Sequence, residues 1–412
     1  MNDQVAVFLG SGCGEPTELV VELVKLSKSS SKARFIVSQM LRGSSMAVVE
    51  NANDSLRVRA VTAIPELVTS PQREFLTFWP CSISQFSQGI SSREIVFDMA
   101  LLLVSSPDEN GNMSLGLSVD LAFDICQTST KIIVEVNPNV PFVSGGSSIN
   151  VSQVDGLIES DRDLLEVHPT LVSKRAKLIA EHVLEWIPDG ATLELGIGSS
   201  LLAIPAALEV RNDLGIHTGL ITTDLLDLLK SHSVTNSRKK NDKGISVTNQ
   251  IRGNSNLYEY VHLNESLHVR PASYTHDSVV LGGLPAFRAV NSAIEVDLMG
   301  RVNSEILNGR RASSVGGLAD FARAGRASAT SRSIIALPSS HSGDTVGRIV
   351  NRLTSAESVS LPADLADVVV TEFGSVDLRN KCPEERAEAM ISIAHPDHRD
   401  ELRDLNLSKE RS

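Results

Sequence analysis

The chain has 412 residues, 42% of them hydrophobic and 21% charged, with a net charge of −12. That length exceeds what one hydrophobic core usually serves, so two domains of roughly 200 residues each are expected. The acidic balance argues against nucleic acid, which needs cations clustered on a basic face, but leaves room for a small anionic ligand held locally.

From the N-terminus, acidic Asp3 precedes an immediate apolar run, Val5-Ala6-Val7-Phe8-Leu9, unlike the basic start of a signal peptide. β-rich runs recur at 5–9, 34–37, 95–104, 131–136, 192–195, 278–281, 333–337 and 368–371, and read as strands. Amphipathic helices fall between many of them, at 18–26 and 173–186 for example. The pattern predicts an α/β fold with mostly parallel, buried strands. The turn signal Pro188-Asp189-Gly190 marks the expected division into domains 1–188 and 189–412. After it a strand, a glycine-rich loop and a helix begin again, as they do at residue 5, so two similar open α/β domains are the economical reading. The C-terminus reads as a helix over 384–394, a His395-Pro396-Asp397 break and a short charged helix. No apolar run approaches the roughly 20 residues of a membrane span.

The four cysteines, Cys13, Cys81, Cys126 and Cys382, form no CxxC or Cys/His cluster, which suggests a reducing cytoplasm and no structural metal. Two loops, Gly10-Ser11-Gly12 and Gly196-Ile197-Gly198, sit where a strand meets a helix, a context that lets backbone N–H groups approach an anion. Neither has the glycine spacing of a dinucleotide fingerprint, and each reads equally well as a tight turn. A third small-residue stretch, Val315-Gly316-Gly317, follows residues 308–314. GxSxG, GxxxxGK[ST] and HExxH motifs are absent, so spacing leaves the reaction class open.

Several segments together resemble the acetyl-CoA hydrolase/CoA-transferase family, which includes 4-hydroxybutyrate and butyryl-CoA:acetate CoA-transferases. The strongest is the run 370–379, VTEFGSVDLR, with 387–402 after it, similar to the family's VTEYGxADLRGK and ALIxIAHPDFRxEL. Residues 291–298, NSAIEVDL, are similar to its INSAxEVDL, and 10–16, 106–108, 114–116 and 135–139 add further matches in the same order. The resemblance implies two similar α/β domains with the active site between them, often in a dimer. It also implies coenzyme A as substrate or ligand, no permanently bound cofactor, and partners consisting of an acyl-CoA and a small carboxylate or other acyl acceptor. The family mechanism uses a glutamate that attacks the acyl-CoA and becomes a glutamyl-CoA thioester, which splits a hard exchange into easier covalent steps.

In the family that glutamate lies in a segment like GVHTEMFSDGVVDL. His217-Thr218 align with its HT, so the nucleophile position falls on Gly219, which stands 21 residues after Gly198 with no gap needed. Asp224 is a poor substitute, because five helical residues span about 7.5 Å. Other departures accompany it: Leu318 follows Gly316-Gly317 where the family has GGQ, Ser199-Ser200-Leu201 follows Gly198, and Ser342 stands where a lysine is usual. By carry-over, Glu194, Leu195, Gly196, Ile197, Gly198, Ile294, Gly316 and Gly317 would line the CoA site. Glu194 alternates with Leu193 and Leu195 and so points to the opposite face of its strand, as a replacement nucleophile or base or as a structural carboxylate. Ser199 and Ser200 are weaker acyl acceptors, with no base in view. His217 is a candidate base, the alternative being a packed histidine at a strand end. Three functions follow: an acyl-CoA enzyme with non-standard chemistry such as hydrolysis or acyl transfer, an ordinary CoA-transferase using another carboxylate, or a non-catalytic CoA binder or subunit of a heteromer.

Overall fold

The computed structural model describes residues 4–29, 34–40, 43–62, 70–341, 343–353 and 359–407. Ser342, noted above, lies outside them. The first half is built on seven strands: β1 (Gln4–Leu9), β2 (Arg34–Met40), β3 (Leu56–Thr62), β4 (Leu76–Phe78), β5 (Met99–Val104), β6 (Lys131–Val136) and β7 (Gly156–Glu159). They pair in the order β4-β3-β2-β1-β5-β6-β7, every pair parallel. Helices α1 (Thr17–Ser29) and α2 (Ile83–Ser91) belong to this half.

The second half carries β8 (Thr192–Leu195), β9 (Gly215–Ile216), β10 (Arg288–Ser292), β11 (Arg332–Ala336), β12 (Val368–Thr371) and β13 (Gly374–Asp377), in the order β9-β8-β10-β11-β12-β13. All pairs are parallel except β12 with β13, which is a hairpin. The fold is therefore α/β with mostly parallel sheets. In each half the chain winds outward in both directions from its first strand, β1 in one and β8 in the other. Such a reversal of strand order opens a crevice beyond the carboxyl ends of the strands, where ligands bind in open α/β sheets.

The inner strands β1, β5, β8, β11 and β12 are largely buried on both faces, and side chains alternate between two cores with the period of two that a strand dictates. On β5, Ala100, Leu102 and Val104 enter the large central core while Leu101 joins the core beneath α1. That central core is shared: Phe8, Leu102 and Val134 of the first half pack in one cluster with Leu193, Val290 and Val368 of the second. The helix α3 (Lys174–Leu184), started by the Ser173 side chain accepting from Ala176 N, packs against β12 and β13 of the second sheet. It lies before the division expected at 188/189.

Two readings of the sequence are corrected. Residues 278–281 are not a strand but the helix Ser278–Gly282, because Asp277 Oδ1 caps it by accepting from Val279 N and Val280 N, both at 2.9 Å. The apolar stretch from 95 becomes extended only at Met99. Strand β10, RAVNS, escaped notice because its two apolar residues leave no run to read. The C-terminal pattern is as expected, with a helix at Pro383–Ile393, a 3-10 turn at Pro396–His398 and a helix at Arg399–Leu407. No helix among the described residues is long and apolar enough to cross a membrane.

Candidate functional site

The carboxyl ends of β8 and β10 open into a pocket of about 190 Å3 at the junction of the two halves. Leu193 and Leu195 turn into the central core, which sends Glu194 to the other face of β8. There Glu194, 3% exposed, lines the pocket, and Asn291 Nδ2 donates to its Oε2 at 2.7 Å. Burial pushes the Glu194 carboxyl up to about 8, with the Asn291 hydrogen bond opposing the shift. Asn291 can approach this closely because Gly196 has no side chain: a Cβ there would stand 2.5 Å from Asn291 Oδ1. Ser292 Oγ donates to Ile197 O at 2.7 Å, so the glycine loop is pinned to the end of β10. In this chain the loop is both a tight turn and a pocket wall.

Gly219 follows β9 at the junction with the short strand Leu220–Thr222, which pairs with Gln250–Arg252. Thr218 Oγ1 fixes the corner by donating to Leu195 O at 3.2 Å. Gly219 faces the pocket, and a Cβ built on it would meet the Phe321 ring at 3.4 Å and His276 Nε2 at 3.5 Å. Those are ordinary van der Waals contacts, so the position would admit a Cβ and has none.

The opposite wall comes from the segment before α4 (Leu318–Gly325) and from the first half. Gly316, Gly317 and Leu318 line it, together with Thr62 at the end of β3 and Ile83 at the start of α2. The halves are clamped here. Ile83 N donates to Gly316 O at 3.1 Å, and Ser314 Oγ to Val61 O at 2.7 Å. Asp320 of α4 accepts from Ser82 Oγ at 2.8 Å, Ser84 N at 3.0 Å and Ser84 Oγ at 2.6 Å, at the N-terminus of α2 where a carboxylate is favoured.

The fold thus brings together Glu194, Leu195, Gly196, Ile197, Gly219, Gly316 and Gly317 on one wall system. It does not bring the rest. Gly198 borders an adjoining cavity of about 70 Å3 with Asp224 and Arg252. Ile294 has left the pocket with the departing chain, its carbonyl accepting from Arg348. Ser200 Oγ donates to Ala336 O at 3.1 Å. His217 is fully buried away from the pocket, its Nε2 donating to Thr275 O at 3.0 Å. Burial, with the nearby charge of Lys239, pushes its imidazole down to about 3.

The histidine that does reach the pocket is His276, which the sequence did not single out. It is 2% exposed, its Nε2 has no hydrogen-bond partner, and its ring lies 4.7 Å from that of Phe321. Burial lowers its imidazole well below the usual range, against the opposing charge of Asp320, and leaves it neutral at pH 7. Gly317 makes room for it, since a Cβ there would sit 2.7 Å from His276 Nε2. No spacing signal links His276 to Gly219, 57 residues before it, or to Gly317, 41 after it. Among the pocket-lining residues Glu194 is the only carboxylate, and Leu318 contributes an apolar side chain. No group of three or more His, Cys, Asp or Glu among the described residues is placed to hold a metal ion.

Residues 1–169 match the family described as the acetyl-CoA hydrolase/transferase N-terminal domain, and 253–405 the corresponding C-terminal domain. The chain is 32% identical over 399 residues to the 4-hydroxybutyrate coenzyme A transferase of Clostridium kluyveri, covering 96% of this chain and 92% of that one. It is 35% identical over 305 residues to the succinyl-CoA:cyclohexane-1-carboxylate CoA transferase of Geobacter metallireducens, covering 74% and 70%. Among solved structures it is similar to RipA from Yersinia pestis, with a TM-score of 0.91, 29% identity and coverage of 100% and 95%. It is also similar to a 4-hydroxybutyrate CoA-transferase from Porphyromonas gingivalis, with a TM-score of 0.81, 27% identity and coverage of 99% and 94%.

Proposed function

The chain belongs to the acetyl-CoA hydrolase/transferase family, and on that premise we propose that it acts on acyl-CoA thioesters without forming a glutamyl-CoA intermediate at residue 219. The observation that carries the reading is the corner at Gly219: it faces the pocket, it would admit a Cβ, and it offers no nucleophile. A void beside the thioester is where water or another acyl acceptor would stand and attack the carbonyl directly. The pocket is smaller than the roughly 300–1,000 Å3 that buries a drug-sized ligand, so it suits the acyl end of the thioester, with the rest of coenzyme A outside. Coenzyme A is then substrate or ligand and not a resident cofactor. Glu194, the one carboxylate on the wall, is the group to take the proton from an attacking water, once it is ionised.

Glu194 also favours a second reading, ordinary CoA transfer with Glu194 itself as nucleophile. Against it stands its tie to Asn291; the raised carboxyl bears equally on both roles. The third reading, a binder or partner subunit that does no chemistry, predicts affinity without turnover.

One experiment separates the three. Purified protein is incubated with acetyl-CoA, butyryl-CoA and succinyl-CoA, with and without acetate, while CoA release and protein mass are followed. Release of free CoA with no protein-bound adduct is expected. An acetate-dependent exchange through an adduct on Glu194 would replace the first reading by the second. In parallel, Gly219→Glu, whose first side-chain atom fits at 3.4–3.5 Å from its neighbours, is expected to form a mass-detectable glutamyl-CoA adduct. A folded Gly219→Glu protein that binds the ester but never forms the adduct would count against residue 219 as the nucleophile position.

A further inference from the structure

His276 is held in one orientation with one nitrogen engaged and the other not. Its backbone N donates to Ala272 O at 3.0 Å, and its ring packs on Phe321. On the inner edge, Nδ1 lies 2.9 Å from Thr275 Oγ1 and 3.5 Å from Asn249 Nδ2. The amide nitrogen can only donate, and the threonine hydroxyl is closer to Nδ1 than to Pro271 O, its other acceptor at 3.3 Å. The tautomer that satisfies both neighbours makes Nδ1 the acceptor and puts the ring proton on Nε2. That N–H is buried without a partner. It points to the gap between Gly219 and Gly317, two of the four glycines that line the pocket, and a Cβ at either would lie 3.5 or 2.7 Å from Nε2. A buried donor left unpaired is costly and calls for an explanation, and an acceptor supplied by a ligand is one.

We propose that His276 is a catalytic residue, whose Nε2–H donates to the thioester carbonyl oxygen of the bound acyl-CoA and stabilises the negative charge that develops there. The assignment rests on the acyl-CoA reading of this pocket. In the step it serves, the oxygen of water forms a bond to the thioester carbon, and the carbonyl π electrons move to the oxygen, which His276 Nε2–H holds. The Glu194 carboxylate takes the proton from the water. The carbonyl then re-forms, the C–S bond breaks, and the leaving sulfur receives that proton from Glu194, so that carboxylic acid and free CoA result. Because the imidazole is neutral throughout, it acts as a fixed dipole and neither gains nor loses a proton. The nearby Asp320 carboxylate is occupied by Ser82 and Ser84.

The test uses the whole chain with [1-13C]acetyl-CoA. Difference infrared spectra of the bound ester should show the labelled carbonyl band shifted down from its position in solution. His276→Phe, which keeps a packed ring, should abolish the shift and lower kcat by about 10²–10³-fold with the dissociation constant of the ester nearly unchanged. His276→Gln, whose amide nitrogen falls near the place of Nε2, should recover part of both. A bound wild-type ester with an unshifted carbonyl overturns the proposal without any variant. So does a folded His276→Phe protein with undiminished turnover or an unaltered band. If no CoA ester binds at all, the functional reading itself falls and this assignment with it; if esters bind but the carbonyl is indifferent to residue 276, only this assignment falls.

Discussion

At the single-residue scale, the reading turns on two side chains, Glu194 and His276, and on two glycines, Gly219 and Gly317. On the proposed reading Glu194 and His276 bear the polar chemistry, while Gly219 and Gly317 leave the space in which it acts. The state of Glu194 sets the pH dependence. Its carboxyl sits at about 8 in the folded chain against 4.5 for a free side chain, so the folded state binds a proton more tightly than the unfolded one. The stability this contributes is fully present below pH 4.5 and is lost as pH rises through about 8. Glu194→Gln is expected to remove that slope, read as the difference in urea midpoint between variant and wild type from pH 5 to 9. Thioester cleavage that uses the Glu194 carboxylate should rise over the same interval and level off above about 8. A flat rate profile in wild-type protein would exclude Glu194 as the base. None of this was legible from spacing. Sequence alternation gave the direction of Glu194, but its burial beside Asn291 depends on a strand, β10, that carries too few apolar residues to be seen.

At the scale of elements, what could be read followed from local patterning, and what could not followed from pairing. The strands at 5–9, 131–136 and 368–371 declared themselves as apolar runs because both of their faces are covered. Residues 278–281, with two valines and a leucine, read as a strand until the Asp277 cap is considered; the capping signal, an Asp directly before an apolar run, was present in the sequence and outweighed by β propensity. His276 sits in the turn before that cap, which is why its place in the pocket was hidden. Between elements, the junction of α4 with α2 rests on Asp320, 6% exposed, which holds three donors of the first half. Asp320→Ala leaves those donors unsatisfied at a buried interface and should cost roughly 2–3 kcal/mol. Denaturant unfolding checks the magnitude. A loss below about 0.5 kcal/mol, the level of an ordinary surface substitution, would show that the clamp does not hold the halves together.

For the whole molecule, the pocket wall is discontinuous in sequence, with Thr62 and Ile83 from the first half facing Gly219 and Gly317 from the second. A thioester seated there touches both halves, so its binding energy is available only when they are together, and ligand and interface stabilise one another. Acetyl-CoA at 100 times its dissociation constant is expected to raise the unfolding free energy by about 2.7 kcal/mol. The more discriminating measurement is hydrogen exchange, because it locates the effect. Protection should increase on both sides of the junction at once, in the Ile83 to Ser91 helix and in the segment that runs through Gly316 and Gly317, whose backbones already meet through Ile83 N and Gly316 O. Protection confined to residues after 192, with the Ile83 to Ser91 helix unchanged, would place the ligand on the second sheet alone. The cleft would then be a feature of how the halves pack and not of how the substrate is held.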